Sequence, residues 1–169
     1  MNIRMRCLAG LTLALGIAAA AVFASPSAGL IFTLYPGFID REVHHTVEVK
    51  LPVAVNGEDD WDVSFHTSGP SNFIFQDLTI SPGGYTGWHT HPGVLLTSVV
   101  SGSIEWYDGK CRRHVYNAGD SLTESDALHY VRNAGVDNAR LMITFVIAKG
   151  QPRKIDQAAP GCAVALGLT

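Results

Sequence analysis

The stretch Gly83-Gly84-Tyr85-Thr86-Gly87-Trp88-His89-Thr90-His91-Pro92-Gly93, with the apolar run Val94 to Val100 behind it, decides how the rest of the chain is read. Glycine and proline punctuate it throughout, and such punctuation marks turns between short extended segments. Trp88 to His91 is expected to be one such segment, turned by Pro92-Gly93, and Val94 to Val100 a continuous apolar strand that ends at Ser101-Gly102. Gly83, Gly87 and Gly102 read as turn glycines. Side chains alternate faces along extended backbone, so His89 and His91 point the same way, about 7 Å apart along the strand. Two imidazoles so placed can converge on one metal ion. The competing reading is a half-exposed strand with two polar positions. Trp88 falls on the opposite face, where packing is its expected role.

Outward from this stretch the pattern repeats. Val43 to Leu51, Trp61 to His66 and Phe73 to Ile80 precede it, with a polar Asn56-Gly57 turn and a Ser81-Pro82-Gly83-Gly84 turn between them. Ile104 to Tyr107, a strand through His114 to Tyr116, Leu128 to Arg132 and Leu141 to Ala148 follow it. Short strands at regular spacing predict an all-β sandwich or barrel. No long stretch carries helical periodicity, and no internal repeat or second domain is visible. The expected organisation is a leader over 1–24, an N-terminal segment over 25–42, a barrel over 43–150 and an irregular tail over 151–169. A third ligand to join His89 and His91 must come from another strand, and His129 is the natural candidate.

The segment from Gly83 resembles the first motif of the cupins. Gly83, five residues, His89-Thr90-His91, three residues, position 95, six residues and Gly102 keep that motif's spacing. The second cupin motif is matched by Gly119, Ser125, Ala127, His129 and Asn133, sixteen residues further on. The resemblance implies an antiparallel double-stranded β-helix, or jelly-roll barrel, with a small-molecule site inside and His89, His91 and His129 as metal ligands. Three departures stand out. Leu95 occupies the position of the family's glutamate ligand, Ser125 and Ala127 replace the motif's proline and glycine, and His129 comes one residue early. What is left is three neutral imidazoles, a set that suits Fe, Zn, Ni, Cu or Mn without selecting among them. An anionic substrate could supply the missing charge. Alternatively Glu124 or Glu105 reaches in and restores an acid; otherwise both lie on a solvated strand face. Trp106 and Phe145 are candidates to line the barrel, and Asn133 to hold a turn.

The first 24 residues carry Arg4 and Arg6, then an uncharged Leu/Ala-rich run, then Val22-Phe23-Ala24. They read as a signal peptide cleaved after Ala24, with an uncleaved membrane anchor as the alternative. Cleavage removes two arginines and no acid, so the formal charge moves from −3 to −5. An acidic chain without a basic cluster argues against nucleic-acid binding. Cys111 and Cys162 remain, as one disulfide in an oxidising compartment or as two buried thiols. His44, His45, His66 and His114 are expected at the surface.

The sequence therefore points to a secreted or periplasmic metal-binding cupin acting on a small molecule, as an oxygenase or isomerase if it is catalytic. The alternative is a non-catalytic extracytoplasmic binding protein using the same pocket. No nucleic acid and no lasting membrane association are expected, and a homodimer is a reasonable assembly by the family resemblance.

Overall fold

A computed structural model describes residues 26–39, 41–55 and 58–169, with backbone alone at 44–55 and 58–63. The expected leader, its cleavage site and the Asn56-Gly57 turn lie outside the described residues. Among those described, no helix is long and apolar enough to cross a membrane.

Among the described residues twelve strands account for nearly all of the regular structure: β1 (Ala28–Ile39), β2 (Val43–Val55), β3 (Glu58–Thr67), β4 (Ser71–Tyr85), β5 (His89–Thr90), β6 (Gly93–Ser101), β7 (Ser103–Asp108), β8 (Arg113–Asn117), β9 (Ser121–Glu124), β10 (His129–Arg132), β11 (Ala139–Ala148) and β12 (Ile155–Asp156). All pairings are antiparallel. One layer runs β1-β4-β11-β6-β9 and the other gathers β12, β5, β10, β7 and β8. The long strand β4 joins them: residues 71–80 pair with β11, and further on Tyr85 pairs with Arg132 of β10, the expected Ser81–Gly84 turn being part of the same strand. The result is an all-β jelly-roll barrel, as the spacing of strands and turns predicts.

Period-two burial builds its interior. Along β11, Leu141, Ile143, Phe145 and Ile147 are buried while the residues between them face outward. Burying each such side chain contributes about 1.5–3 kcal/mol. On β6 the apolar run is continuous in sequence but not in environment: Leu95 and Val99 are buried, whereas Val94, Leu96 and Val100 are exposed. The turn after β6 requires a glycine. Gly102 has φ 73°, and a Cβ there would lie 2.7 Å from the Asn138 carbonyl oxygen.

Two segments take pairings that the sequence reading left open. The stretch 25–42, read as an N-terminal segment, contains β1, which pairs with β4 from Leu30↔Ile80 to Ile39↔Ser71. Pro36 and Gly37 interrupt the apolar pattern there. Proline is tolerated because β1 is an edge strand, where a missing N–H costs no ladder bond on its open side. Conversely, β2 and β3, read as the first barrel strands, pair only with each other. Alternation marks a strand without naming its partner.

The tail, largely irregular in backbone as expected from the sequence, packs against the barrel. β12 pairs with β5, Ile155 opposite Thr90 and Asp156 opposite His89. Ala163 and Leu168 pack in a second cluster with Trp88, Tyr107 and Tyr130. Trp88 is fully buried and its indole N–H donates to the Leu168 carbonyl at 2.6 Å. Cys111 and Cys162 are disulfide-bonded, with Cα atoms 6.2 Å apart and 51 residues of sequence separation. Closing a loop of that length stabilises by about 4 kcal/mol in the chain-entropy account.

A three-histidine candidate metal centre

His89 on β5 and His129 on β10 stand directly opposite one another across the strand pair. His91 follows β5, its N–H donating to the Ser125 carbonyl at 3.0 Å. All three imidazoles are buried, and one nitrogen of each lies within 4.8 Å of the others. The rings pack closely, with centroids 4.2 Å apart for His89 and His129 and 4.8 Å for His89 and His91. Trp106 stacks on His129 and Phe145 meets His91 edge-on. Both aromatics therefore touch the site, as their expected lining role requires.

The hydrogen bonds fix how each ring is used. His89 Nδ1 lies 2.8 Å from the Gly87 carbonyl, His91 Nδ1 2.6 Å from the Arg153 carbonyl, and His129 Nδ1 2.7 Å from the Ala127 carbonyl. A carbonyl only accepts, so in each case Nδ1–H donates. The neutral ring then keeps its lone pair on Nε2. This is how metal-binding histidines are commonly oriented. His91 Nε2 and His129 Nε2 are buried with no hydrogen-bond partner, a costly state for a polar atom unless something else occupies its lone pair. Burial, then the neighbouring imidazoles, push the His89 pKa well below the usual histidine value. His91 is pushed down to about 4, chiefly by burial. At neutral pH these two rings are uncharged, the form that ligates a cation. The residues present fit a divalent transition metal.

Of the two glutamates named as alternatives, only one reaches the site. Glu124 is the cross-strand partner of Leu95, so it stands beside the very position where the motif lacks its acid. Its Oε1 lies 3.3 Å from His129 Nε2, while Trp106 Nε1–H donates to it at 3.0 Å. Glu105 is directed away. It accepts from Tyr107 at 2.8 Å, from Arg113 at 2.7 Å and from Arg132 at 2.7 Å. Among the other histidines, His66 and His114 are exposed, and the side chains of His44 and His45 lie outside the described residues. Asn133 is buried and holds a turn, donating to the Ile80 and Asp137 carbonyls and accepting from the Gly135 N–H.

A cavity of about 270 Å³ opens beside the histidines. Leu78, Leu95, Leu141 and Ile143 give it apolar walls, and Leu30 and Phe32 of β1 close one side. Arg153 and Lys154 of the tail also line it. Lys154 pairs with Asp156 at 2.6 Å. Arg153 donates to Gln76 Oε1 and lies against the rings of Phe32 and Phe145. Among the described residues no carboxylate lies within ion-pair distance of Arg153, and burial lowers its pKa. No sequence signal foretells this: the tail has no strand pattern long enough to place it over the barrel.

Residues 76–147 match the family described as Cupin domain. That match spans less than half of the chain, and the antiparallel jelly-roll barrel is consistent with a cupin domain. Solved structures to which the chain is similar include a polyketide cyclase from Streptomyces resistomycificus, at 16% identity over 56% of this chain and 68% of that one, with a TM-score of 0.45. A cupin-like protein from Thermotoga maritima matches at 20% identity over 52% and 65%, with a TM-score of 0.43. An oxalate decarboxylase from Lactobacillus farciminis, in a formate complex, matches at 22% identity over 50% and 26%, also with a TM-score of 0.43. At these identities and scores none of them assigns this chain an activity. No curated relative matches the sequence.

Proposed function

We propose that this cupin barrel is an exported, metal-dependent site acting on a small organic anion. The observation that carries the metal is the set of three Nδ1–H bonds to backbone carbonyls, which leaves three Nε2 lone pairs in one buried cluster. His89, His91 and His129 would hold the ion. When bound, it would supply Lewis acidity or oxygen activation, the chemistry of an isomerase or oxygenase. The charge of the substrate follows from Arg153. A part-buried guanidinium with no carboxylate partner among the described residues favours an anion in the cavity, and the apolar walls favour a short hydrocarbon body on it. Export is supported by the signal-like first 24 residues and by a disulfide of the kind that persists in oxidising compartments.

Elemental analysis of the protein purified without a histidine tag tests the metal reading. About one equivalent of a transition metal is expected, with His91→Ala lowering it sharply. Substoichiometric content for every transition metal would overturn the reading. Small carboxylates should then bind the loaded protein, and Arg153→Gln should weaken them at least about tenfold. Oxygen uptake or product formation with the carboxylates that bind separates catalysis from a binding role in the same pocket.

A further inference from the structure

We infer that Glu124, supplied by β9 and not by the strand that carries Leu95, is the fourth protein ligand of the metal held by His89, His91 and His129. The assignment rests on the metal reading above and goes beyond it by completing the ligand set. Register is the first argument. Leu95 and Glu124 are paired across β6 and β9, and cross-strand neighbours on one face of a sheet have Cβ atoms about 4.5–5.5 Å apart. A carboxylate at either position can reach the same point inside the barrel. Both residues line the cavity, Leu95 as part of its apolar wall and Glu124 as a carboxylate.

Distance is the second argument. Two donor atoms each about 2.1 Å from one ion, at angles of 90–110°, are about 3.0–3.4 Å apart. Glu124 Oε1 and His129 Nε2 are separated by 3.3 Å. The two atoms stand at ion-pair separation without the geometry of a hydrogen bond. With Nδ1–H given to the Ala127 carbonyl, His129 aims Nε2 at the carboxylate oxygen, an approach held by a cation between the two atoms, whether a metal ion or a proton.

Charge is the third. Glu124 is buried, yet its hydrogen-bond donors are neutral: the indole N–H of Trp106 at 3.0 Å and the hydroxyl of Thr97 at 3.4 Å. A buried carboxylate ordinarily acquires a cationic partner. No lysine or arginine pairs with Glu124 among the described residues. A divalent ion meets the need of the carboxylate and of the orphaned imidazole nitrogens together. The resulting three-nitrogen, one-oxygen set would moderate the preference of imidazoles for copper, zinc and nickel and admit iron and manganese.

Cobalt(II) titration of the metal-free protein tests the assignment, read by visible absorption and by competition with a chelator. The wild type should bind one equivalent. Glu124→Gln should bind roughly 10- to 100-fold more weakly, with a displaced visible band. His91→Ala should lose most of the binding. If Glu124→Gln matches the wild type in affinity and spectrum while His91→Ala does not bind, Glu124 is no ligand and the three-histidine site stands. If the wild type itself binds no cobalt, the metal reading fails and takes this assignment with it. A measurement on the unmutated protein covers the case of a variant that does not fold. A cobalt-minus-apo infrared difference spectrum should show a displaced carboxylate stretch, and its absence overturns the assignment.

Discussion

Glu105 on β7 and Glu124 on β9 are each 8% exposed, and both were legible in the sequence as acids that could serve the site. Their partners differ in kind. Glu105 accepts hydrogen bonds from two guanidiniums and a phenol, and Arg132 also donates to that phenol at 3.0 Å. Burial by itself would raise the Glu105 pKa, but the bonds from Tyr107, Arg132 and Arg113 outweigh it and hold the carboxyl below its ordinary range. Among the described residues Glu124 accepts only from an indole and a hydroxyl, and it faces a histidine nitrogen that has no hydrogen-bond partner. Equal burial thus conceals opposite states of satisfaction. A carboxylate whose lone pairs are already filled by cations holds the fold; one left short beside empty imidazole nitrogens is available to an ion.

The most severe way to break this comparison is Glu105→Ala. Two arginines would lose their shared anion, and stability should fall by about 2–3 kcal/mol, at or below the low end for buried pairs because Arg113 is half exposed. Urea denaturation of the metal-free protein measures it, and metal uptake per folded molecule should not change. A loss of metal uptake with stability intact would place Glu105 in the site and undo the contrast.

The same network carries a pH signature. Because the folded-state pKa of Glu105 is lowered, its contribution is fully present above the ordinary carboxylate range and is lost as pH falls through the lower folded value. Glu105→Gln removes that titration while keeping the shape. The gap in urea midpoint between wild type and Glu105→Gln should be widest near neutrality and should narrow as pH is taken toward 3. A gap independent of pH would mean that the carboxylate charge contributes nothing.

Trp106→Phe sharpens the comparison from the other side. It removes one of the two donors to Glu124 and trims a ring stacked on His129, and it should cost about 1–2 kcal/mol. Cobalt affinity should fall less than in Glu124→Gln, since the carboxylate itself remains. A fall as large as that of Glu124→Gln would make the indole, not the acid, the group that matters.

How far the sequence reached is itself explained by these residues. The barrel was legible because alternation and turn glycines are local signals, and the three histidines because two share a strand face and the third sits in a second spaced motif. What sequence could not decide is pairing across distance. Nothing local says that β1 flanks β4, that β2 and β3 pair apart, or that Glu124 stands opposite Leu95. Nor does the tail announce that the Arg153 carbonyl orients His91, a contact spanning 62 positions. Whether a buried acid is already satisfied depends on such contacts, so Glu105 and Glu124 were equivalent until the register was known.

The smallest expected change in stability is also the most discriminating. Glu124→Gln swaps a carboxylate for an amide of the same shape, the change that Glu105→Gln makes at an equally buried position. In the metal-free protein the amide oxygen still accepts the Trp106 N–H, and no lysine or arginine among the described residues pairs with the charge it removes. The cost should be less than about 1 kcal/mol, and relief of the buried charge could even raise the melting temperature. Glu105→Gln has no such compensation, because it leaves Arg113 and Arg132 without their anion. With metal bound the order should reverse: saturating cobalt raises the wild-type melting temperature through binding to the folded state, and that increment should shrink in Glu124→Gln and persist in Glu105→Gln. If instead Glu124→Gln loses as much metal-free stability as Glu105→Gln, its carboxylate is part of the scaffold, and the two glutamates differ in neighbours but not in role.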